Sequence, residues 1–185
     1  MVGKFRVYVV AVVAIAGLAL GSLAAAGKLQ GPGDPPESTH FKATMNGLME
    51  TPSVSTTGWG EFEAELVEPQ KLHYVFTYGG LEGGASLFAH VHFGQRGFAG
   101  GVSYFLCGGN TKPTPCPYPA GTVEGDVTPA DIVGPNVQGI EPLSFDEILR
   151  AMRAGHSYAN IHTTRWGTGE IRGQLNDHDQ REFDK

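Results

Sequence analysis

The sequence predicts an all-β protein, a Greek-key-like antiparallel β-sandwich with one short helix over about 144–154. Two observations carry that prediction. Many short segments of alternating apolar and polar residues follow one another, parted by turns rich in Gly and Pro. A helical hydrophobic period occurs over 144–154, between the sixth and seventh of these segments.

Taken in order, the predicted strands cover 41–48, 58–66, 72–78, 88–93, 101–106, 121–127, 157–162 and 169–175. The second alternates most clearly, with Trp59, Glu61, Glu63 and Glu65 on one face and Gly60, Phe62, Ala64 and Leu66 on the other. A single-turn helix is expected from Thr128, with Pro129 at its first position. In the main helix Ser144 and Glu147 have capping-box spacing, and Phe145, Ile148, Leu149 and Met152 recur on one side. Gly155 then stands where a C-terminal cap belongs. Both helices are expected to cover a sheet edge or an end of the sandwich. No internal repeat is evident.

The N-terminus reads as an export signal over 1–26. Lys4 and Arg6 precede an almost wholly apolar stretch from Val7 to Leu20, and Ala24, Ala25 and Ala26 offer the small residues of a cleavage site. The alternative is an uncleaved membrane anchor, since the apolar stretch is about long enough to span a bilayer. A linker rich in Gly and Pro follows (27–40), then one domain (41–176) and a polar tail (177–185). The mature chain of about 159 residues suits a single core. No membrane contact is expected beyond the signal segment.

The chain has 13 basic and 19 acidic residues; losing Lys4 and Arg6 leaves 11 basic against 19 acidic, a net charge of −8. That excludes general nucleic-acid binding, which needs a basic surface. It also means that a small anion is attracted only by a local positive cluster. Self-association into a homo-oligomer is left open. The two cysteines, Cys107 and Cys116, bracket a short Gly/Pro-rich loop and are expected to form a disulfide in an exported protein.

The chemistry concentrates in three strands. Residues two apart on a strand share a face, so His90 and His92 project together while Ala89, Val91 and Phe93 pack the other way. By the same count Tyr158, Asn160 and His162 share a face, as do Glu170, Arg172 and Gln174. Three imidazoles on one polar row suit a metal ion, zinc or copper, with an open coordination position. Arg172 beside such a position would orient a small anion; as a purely structural residue it would pair with Glu170 or another carboxylate. Asn160, Glu170, Gln174 and His156 are candidates for supporting the ligands. His40, His73 and His178 are expected on linker, solvent-facing strand and tail.

At these residues the chain resembles the CHRD domain family. The matching pieces are Phe41-Lys42-Ala43-Thr44-Met45-Asn46-Gly47 with Glu50 and Pro52, then Ala89-His90-Val91-His92-Phe93-Gly94. They continue with Gly155, Tyr158-Ala159-Asn160-Ile161-His162-Thr163, and Gly169-Glu170-Ile171-Arg172-Gly173-Gln174-Leu175. The early segment departs from the family's usual Glu-Val-Pro-Pro-Val, reading Glu50-Thr51-Pro52-Ser53-Val54, and is expected to stand away from the site. The resemblance implies an all-β extracellular domain. In arrangement the site is also similar to that of copper–zinc superoxide dismutases, which carry a His-x-His strand, a further copper-ligating His and a late Arg. No counterpart of the zinc loop or the metal-bridging histidine is found, so the analogy is to a copper-only site.

The resulting expectation is an exported protein holding one copper ion through His90, His92 and His162. It would act on superoxide as a dismutase-like oxidoreductase, with Arg172 drawing the anion in. The alternatives are a non-enzymatic extracellular binding or matrix module and a three-His zinc enzyme with Glu170 as its base.

Overall fold

A computed structural model describes residues 38–175. The export signal, most of the linker and the polar tail expected from the sequence lie outside the described residues. Eight strands form: β1 (His40–Asn46), β2 (Trp59–Glu68), β3 (Lys71–Gly79), β4 (Ser86–Phe93), β5 (Gly101–Cys107), β6 (Gly121–Val127), β7 (Ser157–Thr163) and β8 (Ile171–Gln174). They make one antiparallel sheet in the order β5-β4-β7-β8-β1-β2-β3-β6. The fold is all-β with one helix, as the alternation predicts. The sheet curls until its two ends approach: Tyr74 of β3 donates its hydroxyl to the Leu106 carbonyl of β5 at 2.8 Å.

Alternation decides which side faces the core. In β1 it buries Phe41, Ala43 and Met45, and in β2 Phe62 and Ala64, opposite Tyr74, Phe76 and Tyr78 of β3. Ala89 and Val91, Tyr104 and Leu106, and Ala159 and Ile161 supply the other half of the same core. The outer row of β2 keeps Glu61, Glu63 and Glu65 in solvent, and Lys42 pairs with Glu63 at 2.6 Å.

The helix α1 (Phe145–Arg153) lies within the predicted segment and buries Phe145, Ile148, Leu149 and Met152. Asp146 and Glu147 in its first turn and Arg150 and Arg153 in its last complement the helix dipole. Gly155 takes a left-handed φ of 70°, as its place after the helix requires. The predicted capping box fails here: the Ser144 side chain makes no capping hydrogen bond. Instead, the single turn Pro129–Asp131 is tied back by Asp131, whose carboxylate accepts from the Thr128 amide at 2.8 Å and its hydroxyl at 3.0 Å. Cys107 and Cys116 form a disulfide. Among the described residues, no helix is long and apolar enough to cross a membrane.

The central strands depart from simple alternation. Every residue of β7 and β8 is buried, on both faces. The polar row read from the sequence is therefore an interior layer. Its cover consists of four loops, near 50–57, 80–85, 94–100 and 164–170. The polar side chains hold the loop near 50–57 through the Thr51 and Thr56 hydroxyls and the others through their backbone. Gln174 donates to Gly94 O at 2.8 Å, Arg172 to Gln95 O at 3.1 Å and Phe98 O at 3.0 Å, and Glu170 accepts from the Glu82 and Gly83 amides at 2.7 and 3.1 Å.

Candidate metal centre

The His-x-His of β4 and the His162 of β7 meet because these two strands pair antiparallel. His90 stands opposite Asn160, His92 opposite Tyr158, and Phe88 opposite His162. One ligand atom from each of His90, His92 and His162 lies within 4.8 Å of the other two. Their ring centroids are 4.3 Å (His90–His92), 4.6 Å (His90–His162) and 6.5 Å (His92–His162) apart. All three are buried, with 3%, 7% and 6% of their surfaces exposed. Phe88 closes the cluster on one side, 5.2 Å from His90 and 4.7 Å from His162, and Phe105 packs edge-on against His90.

Hydrogen bonding sets the tautomers. His162 Nδ1 lies 2.9 Å from Gly167 O, and His92 Nδ1 lies 2.7 Å from Gly100 O, so each Nδ1 is the protonated donor and each Nε2 carries a lone pair. His162 Nε2 and His90 Nδ1 are buried without any hydrogen-bond partner. Leaving polar atoms so is costly unless something else satisfies them. Burial keeps the rings neutral. It pushes His90 down to about 2, with His92 and His162 adding to the effect, and His92 down to about 4 against the pull of the Gly100 carbonyl. His162 is lowered for the same reason. Neutral imidazoles are the form that binds metal, and two ligands about 2.0–2.1 Å from one ion stand at most ~4.2 Å apart. The three donors form a group able to hold a metal ion.

Around this cluster the remaining predicted residues separate. Asn160 Oδ1 lies 3.1 Å from His92 Nε2, within the cluster. Gln174 gives its amide to Gly94 O and Gly155 O instead of to an imidazole. Glu170 is fully buried and anchors loops, accepting also from the Thr56 hydroxyl at 2.8 Å, so three donors occupy the carboxylate. His156 precedes β7, bonds the Ala154 carbonyl and stays outside the cluster. Arg172 is 2% exposed; it donates to the Gln95 and Phe98 carbonyls and to the Thr51 hydroxyl at 3.3 Å, with its Cζ 3.4 Å above the Tyr158 ring.

Glu50 enters unannounced. It is 7% exposed, and burial pushes its carboxyl up to about 7, countered by Arg172, the Thr51 amide and Asn160. The expectation that 50–54 stands away from the site is thus corrected: Glu50 and Thr51 reach Asn160 and Arg172. Glu50 belongs to a segment that matches the family, but no periodicity marks it as buried, because a carboxylate before Thr-Pro in a turn reads as solvated. Glu50, Thr51, Arg96, Arg172 and Gln174 line a cavity of about 450 Å³.

The family model described as CHRD domain matches residues 41–175. No curated protein and no solved structure matches the chain.

Proposed function

The chain belongs to the CHRD domain family, and from that premise we propose that it is an exported protein binding one copper ion through His90, His92 and His162. The observation that carries this reading is the pair of buried, partnerless ring nitrogens, His90 Nδ1 and His162 Nε2, aimed into one cluster with His92. The donors are all imidazole, and both cysteines are held in a disulfide. Copper(II) binds such borderline nitrogen donors more tightly than the other divalent first-row ions.

A copper ion held there supplies one-electron exchange, and the reaction we assign is superoxide dismutation, 2 O₂•⁻ + 2 H⁺ → O₂ + H₂O₂. One superoxide is oxidised and the other reduced. The chain's own contribution is orientation and charge. Gly100 and Gly167 fix the His92 and His162 rings through Nδ1. Arg172 and Arg96 place two guanidinium groups on one cavity, a local positive field on an otherwise acidic protein.

Elemental analysis of the exported protein after reconstitution with limiting copper tests the reading. About one copper per chain is expected in the wild type, with loss in His90→Ala and in His162→Ala and retention in His73→Ala, which changes an exposed residue paired with Asp126. A folded protein that refuses both copper and zinc would overturn the metal site and favour the non-enzymatic binding module. Tight zinc binding without copper would favour the zinc enzyme.

A further inference from the structure

His92 faces a hydrogen-bond acceptor at each ring nitrogen. Gly100 O lies 2.7 Å from Nδ1 and Asn160 Oδ1 lies 3.1 Å from Nε2. A neutral imidazole has one proton to give, so one of these contacts is mismatched. The Gly100 carbonyl is backbone and cannot reverse. The Asn160 amide can: a half-turn exchanges its oxygen for its nitrogen at little steric cost. Turned, Asn160 Nδ2 donates to the His92 Nε2 lone pair, and Oδ1 then looks toward Glu50.

Glu50 is placed to answer that change. An added Cβ on Gly169 would stand 2.2 Å from Glu50 Oε1 and 2.8 Å from Asn160 Nδ2, so carboxyl and amide face each other across a glycine whose φ is +127°. Glu50 Oε1 is buried and makes no hydrogen bond; the amide nitrogen favours the ionised carboxyl from nearby without reaching bonding geometry. A protonated Glu50 donating to the turned amide satisfies the whole series: Glu50 O–H to Asn160 Oδ1, Asn160 N–H to His92 Nε2, and His92 Nδ1–H to Gly100 O. The charged and titratable groups facing Glu50 are Arg172 from β8, Tyr158 from β7 and Arg96 from the β4–β5 loop.

We propose that Asn160 is a positioning residue with two amide orientations, which couples the proton on Glu50 to occupancy of the three-histidine site. The proposal rests on the metal reading above. With His92 Nε2 committed to an ion, the Asn160 N–H loses its acceptor and turns to donate to Glu50, which ionises beside Arg172. The balance is Glu50–COOH + Cu²⁺ + site → Glu50–COO⁻ + Cu²⁺·site + H⁺, with no change in oxidation state. Glu50 stands at about 7 with the Asn160 amide nitrogen toward it, the orientation assigned to the ion-bound site, so the exchange runs at and above neutrality. The three histidines, already neutral, release no proton of their own.

Calorimetric titration of the apoprotein with Cu²⁺, in buffers of different ionisation enthalpy, counts the protons released. Near pH 8 the wild type should release more protons per ion than Glu50→Gln, up to about one, and this excess should nearly vanish near pH 6, where Glu50 keeps its proton with or without the ion. Equal release by the two proteins near pH 8 would overturn the coupling while leaving the metal site standing. Should Glu50→Gln fail to fold, the wild type alone decides: release near pH 8 no greater than near pH 6 also overturns it. Absence of any Cu²⁺ binding removes the metal reading itself, a distinct result.

Discussion

The Tyr158 ring lies flat against the His92 imidazole, centroids 4.5 Å apart and planes 8° from parallel, at a point where β4 and β7 pair these two residues directly. Arg172 Cζ stands 3.4 Å from the centroid of the same tyrosine. A guanidinium so close leaves no room for the imidazole on its side, so the two occupy opposite faces of the ring. Tyr158 also accepts the Gly100 amide at 3.1 Å through its hydroxyl, and Gly100 is the residue whose carbonyl holds His92. One phenol thus braces a candidate ligand from its face and from its anchoring loop.

Two substitutions at Tyr158 separate these contributions. Tyr158→Phe keeps both stacks and leaves the Gly100 amide without its acceptor, which should cost about 1 kcal/mol in denaturant unfolding and leave copper content intact. Tyr158→Leu should cost about 2–4 kcal/mol and weaken Cu²⁺ affinity at least tenfold. Equal effects of the two on affinity would show that the stack does not orient His92.

Arg172→Ala strips the carbonyls of Gln95 and Phe98 of their donor and empties one face of Tyr158. A loss of about 2–4 kcal/mol in unfolding free energy is expected. If the guanidinium also draws superoxide in, turnover should fall far more than copper content; parallel losses in both would mean that it only holds the loop.

The pH dependence of stability has two opposing parts. Each buried histidine has a folded pKa below its ordinary value of 6.5, so the unfolded chain binds more protons as acid is added. Stability from each is present above pH 6.5 and is lost as pH falls, by up to about 1.4 kcal/mol per unit. Glu50 acts the other way, its folded value standing at about 7 against an ordinary 4.5. Between those values the folded state holds the extra proton, and stability falls as pH rises. The advantage of Glu50→Gln over wild type should therefore grow by at most about 3 kcal/mol from pH 4.5 to pH 7.5. Urea unfolding of the apoproteins across this range measures it, and a pH-independent difference would place Glu50 in a solvated setting.

Gly169→Ala should be severe for its size. The position has φ +127°, and its new methyl would meet Glu50 and Asn160 at once. A cost of about 2–4 kcal/mol is expected, with weaker Cu²⁺ binding in whatever folds. Gly167→Ala, where an added Cβ meets nothing within 4 Å, is the matched control and should be near neutral.

The disulfide closes a ten-residue loop at the end of β5, where Cys107 pairs with Ala89, the residue before His90. Replacing both cysteines by serine should cost about 2–3 kcal/mol on the chain-entropy account. Copper content should survive, because neither sulfur is among the clustered ligands. Loss of copper together with the disulfide would make the β4–β5 pairing part of the site.

The sequence made the strands legible because core and outer residues alternate without interruption in β1 to β3, and Phe41, Phe62 and Phe76 declare the inner face. The shared phase of His90, His92 and His162 was legible for the same reason. The cover over them was not. Gly94, Gly100 and Gly167 lie over the site through their backbone carbonyls, and a carbonyl leaves no trace in the residue code. Glu50 was illegible for a related reason: its burial follows from where the chain turns after β1, which no periodicity records. The capping box at Ser144 matched in spacing and still failed, since the serine backbone, at ψ 67°, departs from the extended cap conformation.

β7 is the seventh strand in the chain and lies between β8, its neighbour in sequence, and β4, which is not. Its pairing with β4 joins residues about seventy positions apart, and β8 must then close onto β1 from the opposite end of the domain. Such distant pairings form late, because the entropy of closing long loops precedes their reward. A partly folded chain therefore keeps His162 apart from His90 and His92 and has no centre. Only the finished molecule gathers them, so an ion held there certifies that the domain's longest-range contacts are in place.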